Sequence, residues 1–202
     1  SDIGGPSYIP RLLASRNEAS AIAAILGSRD TQKVRIALDF DANRDSVLSQ
    51  GLSQYRFVHF ATHGLVDTRH PERSGLILSL LNKRGRKTDG YLRLGDIYKL
   101  KLSADLVVLS SCDSALGQEL ESEGIIGLPR GFLYAGAKSV IATLWKVNDR
   151  ATARLMAALY TRIERGESPS SALRGAQLEM IRDQQWSNPY YWAAFTLQGE
   201  YR

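Results

Sequence analysis

The sequence predicts an α/β fold with a mostly parallel central sheet and helices on both faces. Three observations predict it. Short apolar and β-branched runs at 55–62, 106–109 and 138–144 have the composition of strands buried on both sides. Stretches of helical spacing alternate with them, in the order β, α, β, β, α, β, α, β, α, α, β. Hydrophobic residues make up 44% of the 202 residues, enough for a full core and too many for a disordered chain. In an open sheet of this class, ligands and chemistry gather at the C-terminal ends of the strands.

Taken in order, residues 1–10 are rich in Gly and Pro and read as an irregular lead-in to a single domain spanning 1–202. The start lacks both an apolar signal core and an initiator Met, so the chain reads as a fragment or processed form, a C-terminal piece of a longer protein. Ser15 and Glu18 have the spacing of a capping box, ahead of Ala19, Ile22, Ala23 and Leu26 at helical spacing, with Gly27 as the stop. Residues 33–38 suit a short strand and 44–52 a helix. Residues 55–62, YRFVHFAT, suit a central strand that runs into His63-Gly64. A further strand is expected over 75–81. Residues 82–90, NKRGRKTDG, carry four basic residues and two glycines; they read as a solvated hairpin end, or else as a docking or cleavage segment.

Residues 94–100 suit a short helix, followed by the strand at 106–109. A polar loop is expected over 114–124, a helix over 125–135 stopped by Gly136, and a strand over 138–144. Asp149 is placed to cap a long amphipathic helix over 151–165, which Gly166 ends. Ser168-Pro169 opens the last helix, running to about Arg182, and 191–198 closes the chain as a strand.

Charge excludes little. There are 26 basic and 21 acidic residues, net +5, with no basic stripe of the kind that nucleic-acid binding requires. No apolar run reaches the roughly 18 residues of a membrane-spanning helix. One cysteine excludes an intrachain disulfide and a cysteine-rich zinc module, and fits a reducing, cytoplasmic setting.

That cysteine, Cys112, follows the buried strand at 106–109 through Ser110 and Ser111. A lone cysteine is a small buried hydrophobe or, with a histidine in reach, a nucleophile. His63 follows another buried strand at the same expected edge. Its imidazole would take the thiol proton, whose ordinary pKa near ~8.5 leaves little thiolate at neutral pH. The backbone N–H groups of Gly64 and Cys112 are the natural donors to an oxyanion. Rival chemistries fail on residues. Gln118 stands where a cysteine phosphatase loop needs Arg, and no phosphate-cradling glycine loop or G-x-S-x-G elbow occurs. A metal site from His59, His63 and Cys112 is a weaker alternative, since His59 reads as a packed core residue and His70 as an exposed one.

These residues sit in longer motifs: ATHG at 61–64, DLVVLSSCDSALG at 105–117, EGIIGLPRGFLYAGAKSVIATLWKVND at 123–149, ALRGAQ at 172–177 and NPYYWAAFTLQG at 188–199. Together they resemble the CHAT proteases of the caspase and separase clan over nearly the whole chain from about Ile9. The resemblance implies a caspase-like α/β fold and a cysteine endopeptidase needing no cofactor. On it His63 is the general base, Cys112 the nucleophile, and Gly64 and Cys112 the oxyanion donors. Ser114-Ala115 departs from the Thr-Gly that many members carry. Separase-like relatives bind a basic P1 side chain with an acid. Asp149 aligns with it, with Glu123 as a second candidate, and Asp149 as a mere helix cap is the competing reading. The implied partners are a protein or peptide substrate and an upstream helical-repeat domain or activating partner. The alternative is a CHAT-fold scaffold or effector-binding module that cleaves nothing.

Overall fold

Four consecutive apolar residues with no exposed face need cover on both sides, and that requirement shapes the chain. The computed structural model describes residues 11–28, 34–49, 51–67, 70–110 and 122–201, with side chains from 127 onward in the last stretch. Strand β5 (Leu106–Leu109) is buried at every position. It pairs in parallel with β1 (Phe57–Phe60) on one side and β6 (Ser139–Thr143) on the other. Strand β7 (Phe195–Gly199) adds antiparallel to β6, giving the order β1-β5-β6-β7.

The two faces of β5 enter two cores. Val107 and Leu109 pack with Leu128 and Phe132 of α4 (Ser122–Tyr134) and with Leu94 and Ile97 of α3 (Leu94–Ile97). Leu106 and Val108 pack with Ile22 of α1 (Ser15–Leu26). Leu155 and Leu159 of α5 (Asp149–Glu164) and Leu173 of α6 (Pro169–Arg182) join that second core. The alternation of strand side chains sends each set to its own layer. Ser168 caps α6 ahead of Pro169, as its sequence predicts. Gly136 ends α4's turn at φ +106°, and a Cβ there would lie 2.3 Å from the Leu102 carbonyl oxygen.

Several expectations are corrected. β1 is an edge strand of this sheet; β5 and β6 are central. Residues 34–38 make no ladder; Arg35, Ala37 and Leu38 instead line a cavity of about 870 Å³ together with Phe57–Phe60 of β1. The helix expected over 44–52 is α2 (Arg44–Ser49), followed by a 3₁₀ turn at Leu52–Gln54. The strand expected over 75–81 is β3 (Gly75–Ile77). It belongs to a second, antiparallel sheet with β2 (His63–Leu65) and β4 (Tyr91–Arg93), in the order β2-β3-β4. The polar loop expected over 114–124 falls largely outside the described residues, but its last residues already belong to α4. The final strand is shorter at its start than expected, since Pro189–Tyr191 forms a 3₁₀ turn.

At the N-terminal edge of the parallel strands, Asp105 joins all three. Its carboxylate accepts from Lys138 Nζ at 2.8 Å and Arg56 Nε at 2.7 Å, residues that lead into β6 and β1. The Lys138 hydrogen bond, joined by Arg56 and opposed by burial, holds the Asp105 carboxyl below its ordinary 3.8. A lowered folded pKa contributes stability that is present above the unfolded value and lost as pH falls through the folded one. Both cations are exposed, so the contribution is that of a surface pair. Asp105→Asn is expected to cost about 0.5–1 kcal/mol in urea unfolding near neutral pH. The gap between the two proteins should narrow in the same measurement as pH falls through the lowered folded pKa of Asp105.

Candidate functional site

The parallel pairing of β1 and β5 brings two stretches of chain to one edge. Ser110 N–H donates to the Phe60 carbonyl at 3.2 Å. Phe60 stands three residues before His63, and Ser110 two residues before Cys112. Cys112 itself lies outside the described residues.

After Phe60 the chain leaves the main sheet. Thr62 Oγ1 donates to the Ile77 carbonyl, and His63 opens β2 opposite Ile77. His63 is buried, at 7% exposure, and contributes to the wall of the 870 Å³ cavity. The hydrogen-bond phase of the small sheet sets the direction of Gly64. Leu78 N–H donates to Gly90 O and Leu94 N–H to Ser74 O, both at 2.8 Å. Even-numbered β3 residues therefore bond toward β4, so Leu76 faces β4 with its backbone groups. Gly64, opposite Leu76, sits at a non-hydrogen-bonded pair, and its N–H points away from β3 toward the open edge of β2.

Asp149 does not cap α5. Asn148 does: its side-chain oxygen accepts from Arg150 N–H at 3.0 Å and Ala151 N–H at 3.2 Å. Asp149 is the first helical residue and is released from that task. It lines a second cavity of about 10 Å³, together with Leu12, Ser15 and Glu18 of the α1 region, Ala61, Ser110, Val147 and Thr152. Ser110 and Thr152 are 0% and 3% exposed. Neither hydroxyl has a hydrogen-bond partner among the described residues. Native proteins seldom leave a buried hydroxyl in that state without a reason. Glu123 falls in α4, and its side chain lies outside the described residues.

The capping box expected from Ser15 and Glu18 is absent. Ala14 is the N-cap without a side-chain bond, and Ser15 Oγ donates to Leu12 O at 2.8 Å. Glu18 instead turns inward, 4% exposed, to His59 Nε2 at 2.9 Å. His59 Nδ1 lies 3.1 Å from the Tyr160 hydroxyl. Burial drives the Tyr160 pKa upward, so the phenol keeps its proton. With Tyr160 O–H donating to Nδ1, Nε2–H donates to Glu18. Both His59 nitrogens are thus engaged, and His59 and His63 sit on different strands. That arrangement gives both His59 ring nitrogens protein partners, against its part in the metal site weighed from the sequence. His70 is half exposed beside Glu72 at 3.5 Å, as its polar surroundings predict. The basic hairpin is solvent-exposed, and Lys83 pairs there with Asp41 at 2.9 Å.

Sequence reasoning missed Glu18, Ser110, Thr152 and Tyr160. Thr152 alone gave a signal, a polar residue on the buried stripe of α5 that includes Ala151, Leu155 and Leu159.

The CHAT domain family model matches residues 3–200. The chain belongs to the CHAT domain family. The caspase-like α/β fold expected of that family agrees with the sheet described above. Tetratricopeptide repeat protein 28 of Mus musculus is 37% identical to this CHAT domain over 108 residues. The Homo sapiens protein of that name is 34% identical over 108 residues. Each match covers 54% of this chain and 4% of the relative, so the chain spans a small part of either protein's length. Among the described residues of the CHAT domain, no helix is long and apolar enough to cross a membrane.

Replacing Thr152 with Val keeps the shape and removes a buried hydroxyl that has no partner among the described residues. Thr152→Val is expected to stabilise the chain by about 1 kcal/mol in urea unfolding, the reverse of the usual sign for a core substitution.

Proposed function

We propose that this CHAT domain is a cysteine endopeptidase with Cys112 as nucleophile and His63 as general base. The observation that carries the reading is the Ser110–Phe60 hydrogen bond, which ties the chain entering Cys112 to the chain entering His63 at one sheet edge. Membership of the CHAT family and the outward-turned Gly64 N–H support it.

In this reading His63 takes the proton from the Cys112 thiol, and the thiolate sulfur attacks the scissile carbonyl carbon. The oxyanion accepts from the N–H groups of Gly64 and Cys112. The tetrahedral adduct collapses, the C–N bond breaks, and the amine departs with the proton held by His63. Water then gives a proton to His63 and adds to the thioester. The acid is released and the thiol returns.

Asp149, freed from capping, is the acid that meets a basic P1 side chain, with Glu123 as the lesser candidate. A carboxylate facing Arg or Lys gives charge-assisted selectivity. The substrate is a protein or peptide, and no cofactor enters the reaction. A thiolate nucleophile suits a reducing cytoplasmic setting, and that is the location we propose. The matched relatives are named for tetratricopeptide repeats. By that likeness, an upstream helical-repeat segment or activating partner would control access, with residues 1–202 as one catalytic domain.

A second reading has its own support, because the relatives' name describes a repeat and no activity. The domain would then be a silent scaffold or effector-binding module. Peptide-library cleavage with P1 varied separates the two. Cys112→Ala and His63→Ala should each lower turnover on the order of a thousandfold or more. Asp149→Ala should lose the basic preference while keeping turnover of other peptides. A thiol-directed electrophile should label Cys112 in the parent chain much faster than in His63→Ala. Absent turnover together with an unreactive Cys112 would leave the scaffold reading.

A further inference from the structure

The small cavity has a chemistry more specific than a basic preference. We infer that it is a lysine site, selecting an ammonium over a guanidinium, with Ser110 and Thr152 as the specificity-determining residues; as a P1 site, it rests on the peptidase reading.

Size is the first argument. A cavity of about 10 Å³ has room for one water-sized group. An ammonium is a compact head on a flexible four-carbon stem. A guanidinium is a planar fork of three nitrogens and needs a wider chamber. Polar complement is the second argument. An ammonium carries three donors and no acceptor. Ser110 Oγ, Thr152 Oγ1 and the Asp149 carboxylate are three acceptors on one cavity wall, and the two hydroxyls have no other partner among the described residues. A ligand of this kind satisfies groups that the fold otherwise leaves desolvated.

Charge is the third argument. Asp149 and Glu18 both line the cavity, and among the described residues no Lys or Arg does. Glu18 is anchored to His59, so it supplies negative potential from behind while Asp149 faces the incoming group. Leu12, Ala61 and Val147 complete the lining with apolar side chains. An Arg head reproduces neither the size nor the position of an ammonium.

The test separates recognition from turnover. The Cys112→Ala chain is titrated with n-butylammonium and with n-butylguanidinium, and methyl NMR shifts of Thr152 and Val147 are followed. The ammonium should bind about tenfold tighter or more. Thr152→Val, Ser110→Ala and Asp149→Asn should each weaken ammonium binding and narrow the difference, and Thr152→Ser should retain it. Equal affinity, a guanidinium preference, or no shift with either probe overturns the inference. In the parent chain, paired peptides differing only in Lys or Arg at P1 should show the same order in kcat/KM. Failure here is distinct from failure of the peptidase reading. A reactive Cys112 without ammonium selectivity overturns the lysine site alone. Selective ammonium binding beside an unreactive Cys112 supports the site and removes the peptidase.

Discussion

Parallel pairing of β1, β5 and β6 is the constraint on which the rest depends. Parallel strands need cover on both faces, and every position of β5 and β6 is buried. That need recruits α3 and α4 to one side and α1, α5 and α6 to the other. Parallel strands also end together. The segments leading to His63, Cys112 and Asp149 therefore leave the sheet at one edge, although successive members of the three are 49 and 37 positions apart along the chain. At the opposite edge, Asp105 holds the three strands by their starts. From that end the strands run in the register Phe57↔Leu106 to Phe60↔Leu109.

The helical layer on the α1 and α5 side is unusual for what it buries. Glu18, His59 and Tyr160 form a closed hydrogen-bonded chain in which each member answers another. A carboxylate taken from water needs such partners. Beside it, Ser110 and Thr152 have none among the described residues. Satisfied polar groups set α1 against the sheet; unsatisfied ones face the cavity.

The sequence makes the main elements legible where one residue type dictates geometry. Leu106–Leu109 is apolar throughout, Pro169 follows a serine cap, and Gly136 and Gly166 stop helices with positive φ. The motifs shared with the family pointed to His63 and Cys112 as the proposed dyad before any coordinates. Other features depended on tertiary context. Residues 34–38 have strand composition, yet no strand edge meets them. The small antiparallel sheet was hidden because three-residue strands leave almost no periodicity to read. Glu18 carried the spacing of a capping box and was drawn inward by a histidine 41 residues away. Asn148 and Asp149 are both good caps, and only the backbone geometry decides between them.

The division between those two neighbours has a consequence for how this domain can change. Asn148 caps the start of α5 with its side chain, and Asp149 lines the cavity without making the cap. On the proposed reading, recognition and architecture fall to separate side chains. A lineage is free to exchange Asp149, and with it the chemistry of what is admitted, while the helix beneath stays wound. New preferences become reachable through single steps that leave the scaffold intact.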